Sequence, residues 1–149
     1  MSFRYLEDFI IGERKESGWF ELTEEESVAF ARRYDPQPMH IDRAAADSGP
    51  LGGLTASGWQ TTAIVMRLII EAKPFGDTPV LGLGVDELRW PTPLRPGDSI
   101  HAETEVLSIT PSKSKPDFGV MRIQITARNQ NGDVVLKLIP NLWIPRRPL

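Results

Sequence analysis

The chain has 149 residues, enough for one domain over 1–149 with a buried apolar core. Its formal charge is −3 and its seventeen Lys and Arg are scattered, so it lacks the basic face that nucleic-acid phosphates require. Cysteine is absent, which excludes disulfide and thiolate chemistry and fits a reducing, cytoplasmic location. No apolar run reaches signal-peptide or membrane-spanning length, and the only histidines, His40 and His101, form no metal motif.

Read in chain order, Gly18-Trp19-Phe20-Glu21-Leu22 is a short strand. Thr23 then marks a helix start, with Glu26 at the spacing of a capping box. The helix is predicted over 24–34, with Val28, Ala29 and Phe30 on its apolar side. It should end at Asp35, because a residue before proline is pushed out of the α region. The segment Asp35-Pro36-Gln37-Pro38-Met39-His40 is read as neither regular helix nor central strand, since two prolines fix φ and remove donors. A short helical patch over 42–47 and a glycine-rich loop over 49–53 follow.

Ser57 is predicted to cap the main helix, from 58 to about 72. Trp59, Ala63, Ile64, Val65, Met66, Leu68, Ile69 and Ile70 make that helix apolar almost all round. Gln60, Arg67 and Glu71 leave one narrow polar stripe, so burial on most sides is expected. Four long strands are predicted over 80–90, 99–110, 118–129 and 134–144. In the third, Met121, Ile123, Ile125 and Ala127 alternate with polar neighbours. Asn129-Gln130-Asn131-Gly132-Asp133 is a hairpin turn, and Pro140 implies a bulge or an edge position in the last strand. One buried helix followed by a mostly antiparallel sheet is an α+β pattern, and a sheet wrapped around that helix is the hot-dog arrangement. A single sheet leaves an edge strand open, so a homodimer, or an assembly of dimers up to a hexamer, is the expected state.

The chemistry concentrates in the 35–40 segment. Asp35 and His40 lie on a stiff loop where an imidazole that titrates near neutrality sits close to a carboxylate, a pairing suited to acid–base work. On these residues alone, a structural turn is an equal reading. Gly58, at the head of the buried helix, offers an amide left unpaired by helix geometry, and the helix dipole favours negative charge there. An acid–base pair with an oxyanion donor is the minimum set for adding water across a double bond conjugated to a carbonyl. A Ser57–His40–Asp35 nucleophilic triad is the lesser reading, because an N-cap hydroxyl is engaged with the helix backbone. His101 reads as a surface or turn residue. Trp59, Trp90 and Trp143 read as core or interface aromatics, with Trp59 also a candidate lining for an acyl pocket. Lys113 and Lys115, on a loop between strands, are candidates for meeting the phosphates of coenzyme A.

The run Tyr34-Asp35-Pro36-Gln37-Pro38-Met39-His40-Ile41-Asp42 resembles the Asp-x-Asn-Pro-x-His-x-Asp motif of the MaoC-like, (R)-specific enoyl-CoA hydratases. Ala56-Ser57-Gly58 is similar to that family's start of the hot-dog helix, and 88–98, ending in Pro96-Gly97-Asp98, to the strand and turn that follow. The resemblance runs from about Gly18 to Trp143. It implies a cytoplasmic hydro-lyase of acyl-CoA and fatty-acid metabolism. Asp35 and His40 would activate water, and Gly58 would donate its amide to the thioester oxygen. Gln37, Ser57 and Trp59 flank these three and are expected to contact the substrate. No cofactor is implied beyond the coenzyme A that the substrate carries, and no metal, nucleic-acid or membrane partner. Two positions depart from the family pattern: Gln37 stands for the usual Asn, and Tyr34 for the glycine before the Asp. Two other readings share the fold: an acyl-CoA thioesterase, and a non-catalytic acyl-CoA-binding subunit of a dehydratase complex.

Overall fold

The computed structural model describes residues 2–149. After a 3-10 turn at Leu6–Asp8 come β1 (Arg14–Glu16), β2 (Phe20–Glu21), α1 (Glu24–Tyr34), α2 (Pro38–Ile41), α3 (Arg43–Asp47) and α4 (Gly58–Ala72). Then follow β3 (Leu81–Arg89), β4 (Ser99–Pro111), β5 (Phe118–Asn129) and β6 (Val134–Pro145). The strands form one antiparallel sheet in the order β1-β4-β5-β6-β3, with β2 also paired to β4. The sheet wraps α4, which is the hot-dog fold expected from the order of elements. Among the described residues no helix is long and apolar enough to cross a membrane.

The alternation in β4 and β5 explains the core. Ile100, Ala102 and Val106 point inward with Met121, Ile123, Ile125 and Ala127, and they meet Ile64, Val65, Leu68 and Ile69 of α4. Each large side chain so buried contributes about 1.5–3 kcal/mol. The β5–β6 hairpin closes as predicted: Asn129 Oδ1 accepts from the amides of Asn131 and Asp133, and Gly132 takes φ +81°. Thr23 caps α1 by accepting from the Glu26 amide at 3.1 Å. The return half of the capping box is not made, because the Glu26 carboxylate accepts from the Thr23 hydroxyl instead.

Several expectations are corrected. The 35–40 segment does enter a helix, since Pro38 occupies the first turn of α2, where a missing N–H costs nothing. Pro140 lies on an interior strand: β6 runs between β5 and β3, and the β5 ladder lapses between Arg122↔Asn141 and Ile125↔Leu138. The irregularities fall on β3, whose register against β6 shifts between Gly82 and Gly84 and again between Asp86 and Arg89. At the second shift Glu87 adopts φ +53°. Nor does the surface of α4 follow the predicted polar stripe. Gln60 is buried and donates to the Glu26 carbonyl, whereas Trp59, Met66 and Ile70 are exposed. Val85 of β3 is exposed beside Met66 and Ile70, and Leu81 and Leu83 are exposed on the same edge strand, so an apolar flank of the protomer stays open.

Candidate active site

Helix α1 stops where Pro36 forces Asp35 out of helical geometry (φ −152°, ψ 67°). A tight turn then reverses the chain: the Gln37 amide donates to the Asp35 carbonyl and the His40 amide to the Gln37 carbonyl. This turn sets His40 back toward Asp35, with Nε2 and Oδ2 3.3 Å apart. The imidazole is almost wholly buried, and its Nδ1 lies 2.6 Å from the Thr55 carbonyl oxygen. A carbonyl only accepts, so Nδ1 carries the hydrogen. In the neutral ring Nε2 is therefore a bare lone pair turned to the carboxylate.

The Asp35 carboxyl is held below the ordinary carboxylate range. Its largest cause is the amide of Gln37, which donates to Oδ1 at 2.7 Å; the Ser57 hydroxyl and the charge of a protonated His40 act the same way, and partial burial opposes them. The longer side chain that replaces the usual Asn is thus what reaches back to Asp35. Ser57 is wholly buried and makes no cap bond to α4, which overturns the reason for setting aside its hydroxyl as occupied. Its Oγ makes no hydrogen bond of full geometry. It faces the Asp35 carboxylate and does not line the cavity, so its influence on the site runs through Asp35 rather than through direct substrate contact.

Three strands of chain meet here. The Thr55 amide donates to the Met39 carbonyl and the Ala56 amide to the Leu94 carbonyl, tying the acid–base turn, the head of α4 and the segment after β3 together. Between them opens a cavity of about 320 Å³. Asp35, Gln37, His40, Gly58 and Trp59 all line it, which brings together five of the six residues singled out from sequence. The Gly58 amide has no hydrogen-bond partner among the described residues. Tyr34 lies outside the cavity, packed on Phe30 under the Arg33 guanidinium.

Sequence reasoning missed Thr55 as the residue that fixes the imidazole, and Trp90, Met39, Leu94 and Val135 as walls. His101 stacks on Trp19 on the outer face of the sheet. The loop with Lys113 and Lys115 joins β4 to β5 at the end away from Val135; at about 3.3 Å per residue along β5 it is about 30 Å from the cavity of the same chain. Among the described residues no group of three or more His, Asp or Glu could hold a metal ion.

Comparison with known proteins agrees with this architecture. The crystal structure of a MaoC-like dehydratase from Rhodospirillum rubrum superimposes with a TM-score of 0.91 and 44% identity, over 98% of this chain and 99% of that one. In sequence, the uncharacterized protein YdeM of Bacillus subtilis (strain 168) is 30% identical over 125 residues, 84% of this chain and 87% of its own length. The 3-hydroxyacyl-thioester dehydratase Z of Mycobacterium tuberculosis is 29% identical over 96 residues, 63% of this chain and 64% of that protein. The family model described as MaoC like domain matches residues 9–128, and the chain belongs to that family.

Proposed function

We propose that the protein is an acyl-thioester hydratase that reversibly adds water to a 2-enoyl-CoA to give a 3-hydroxyacyl-CoA. The observation that carries this reading is the pair of acceptors, Asp35 Oδ2 and the bare His40 Nε2, 3.3 Å apart on the wall of the cavity that also holds the Gly58 amide. Two acceptors so close call for a shared hydrogen donor, and water supplies two hydrogens. In this mechanism His40 Nε2 takes one proton while the water oxygen bonds to the β-carbon. The electron pair of the double bond moves through the α-carbon to the thioester oxygen, where the Gly58 amide and the helix dipole stabilise it. The imidazolium, steadied by Asp35 and by the Thr55 carbonyl, returns its proton to the α-carbon. One water is consumed and no other reagent, so coenzyme A enters only as part of the substrate. The 3-hydroxyacyl-thioester dehydratase of Mycobacterium tuberculosis is named for the reverse of this reaction.

The working unit in this reading is a homodimer. The open edge of β3, its exposed Leu81, Leu83 and Val85, and Trp59, Met66 and Ile70 of α4 form one apolar flank that a second copy would cover.

The deciding experiment is a spectrophotometric assay of double-bond loss on a panel of enoyl-CoA thioesters, with the product's configuration determined. Turnover that disappears in Asp35→Asn and His40→Ala supports the mechanism. Turnover that survives in both overturns it. Release of free thiol with the double bond intact would point to thioester hydrolysis, and binding without turnover to a non-catalytic subunit.

A further inference from the structure

Trp90 stands one residue beyond β3, and its placement is unusually determined. Its indole lies flat against the head of α4: a Cβ built on Gly58 would come within 2.8 Å of Cδ2 and Cε2. The ring is also pinned at its edge. Nε1 donates to the Thr62 hydroxyl at 3.2 Å, and that hydroxyl spends its own hydrogen on the Gly58 carbonyl at 3.0 Å. Trp59 meets the indole edge-on, with ring centroids 5.1 Å apart. One side of Trp90 is thus committed to the helix, while 38% of the residue stays exposed and lines the cavity with Met39, Leu94 and Val135. An aromatic wall held on one side by the helix, in a cavity of about 320 Å³, limits what fits. Ligand pockets commonly span about 300–1,000 Å³, so this one is at the small end before any of the carrier arm is accommodated.

We propose that Trp90, locked by Thr62 over Gly58, is the specificity-determining wall of the pocket and restricts the acyl group to a short, straight chain. The inference rests on the thioester reading above and adds to it the class of acyl group and the residue that selects it. Thr62 is a positioning residue, acting on the substrate only through the indole.

The test is calorimetric titration of the intact protein with saturated butanoyl-, hexanoyl-, octanoyl- and decanoyl-CoA, which have no double bond to hydrate. The wild-type protein should bind butanoyl- or hexanoyl-CoA best and lose affinity as the chain grows. In Trp90→Ala the preference for octanoyl- over butanoyl-CoA should rise roughly tenfold or more, since each methylene in an apolar pocket discriminates by about that factor. Thr62→Val, nearly isosteric and without the pinning hydroxyl, should shift the ratio in the same direction by less. If Trp90→Ala fails to fold, Trp90→Phe supplies the comparison. An octanoyl-to-butanoyl ratio that stays within twofold of wild type in the folded Trp90 variants overturns the proposal. Loss of the hydratase reading alone would appear as no turnover of enoyl thioesters with the chain-length shift still present; no binding of any thioester would overturn both.

Discussion

His40 Nε2 faces Asp35 Oδ2 across 3.3 Å, while the opposite ring nitrogen, Nδ1, is tied to the Thr55 carbonyl at 2.6 Å. The carbonyl dictates the tautomer, so the lone pair and not the N–H is presented to the cavity. In the neutral ring, nitrogen NMR of labelled protein should find hydrogen on Nδ1 and a bare Nε2; the reverse assignment would remove the base from the proposed mechanism. His40→Ala and Asp35→Asn should each lower kcat for enoyl-thioester hydration by about 10²–10⁴, the range for a positioned acid–base group. Steady-state kinetics on the folded variants checks this.

Gln37 is the main reason that the Asp35 carboxyl sits below the usual range. A carboxyl whose folded pKa is depressed stabilises the fold fully above its unfolded value, and that contribution fades as pH falls through the folded one. Gln37→Ala should move the Asp35 carboxyl back up, so the variant should be less stable than wild type at neutral pH. The difference should close on acidification through the carboxylate range. Melting temperatures of both proteins across that range test the sign, and a gap that widens in acid would contradict it.

Gly58 has two separate reasons to be glycine: the ligand's approach to its amide and the indole that occupies the space of a side chain. Gly58→Ala should cost about 1–3 kcal/mol, the usual range for overpacking. In a Trp90→Ala background the same substitution should cost much less, and a double-mutant cycle in denaturant measures that coupling. Loss of activity in Gly58→Ala alone therefore does not identify an oxyanion donor. Alanine keeps the backbone N–H, so activity that returns in the double variant assigns the loss to space.

Val85 is exposed on a strand with an unpaired edge, beside Met66 and Ile70 of α4. Val85→Glu places a charge on that flank. The wild-type protein should sediment as a dimer or a multiple of dimers, and the variant as a monomer with unchanged far-UV circular dichroism. A monomeric wild-type protein would overturn the proposed assembly.

Most of the fold was legible because its long elements carry strong periodic signals. The capping threonine and the proline after Asp35 bound α1 at the residues observed, and the alternation in β5 identifies its inner face. Strand β1 left no such trace: Arg14, Lys15 and Glu16 are all charged and exposed, and they join the sheet by pairing with β4 and by the ion pairs of Arg14 with Glu103 and Glu105. The open apolar face of α4 was also misread, because a pattern of side chains does not say whether the same chain or another one covers it.

The site was legible where a side chain does the work and opaque where the backbone does. Asp35, His40 and Gly58 announce themselves by type and spacing. Thr55 acts chiefly through its carbonyl, which any residue would supply, although its hydroxyl also lies 3.3 Å from Nδ1. Ser57 looked like an ordinary cap and instead turns its hydroxyl to Asp35. Trp90 read only as a core or interface aromatic, because the irregular end of β3 hides the alternation that would place it.

That irregular end buffers the indole against changes of chain length. Between Asp86, paired with Ile139, and Arg89, paired with Lys137, β3 spends one residue more than β6, so removing one residue at Glu87 would restore a regular ladder and leave Arg89 and the neighbouring Trp90 facing as they do. The border of the pocket is thus insulated from a codon lost at this step, and a change of acyl preference must come through the side chains that line it rather than through the length of the strand.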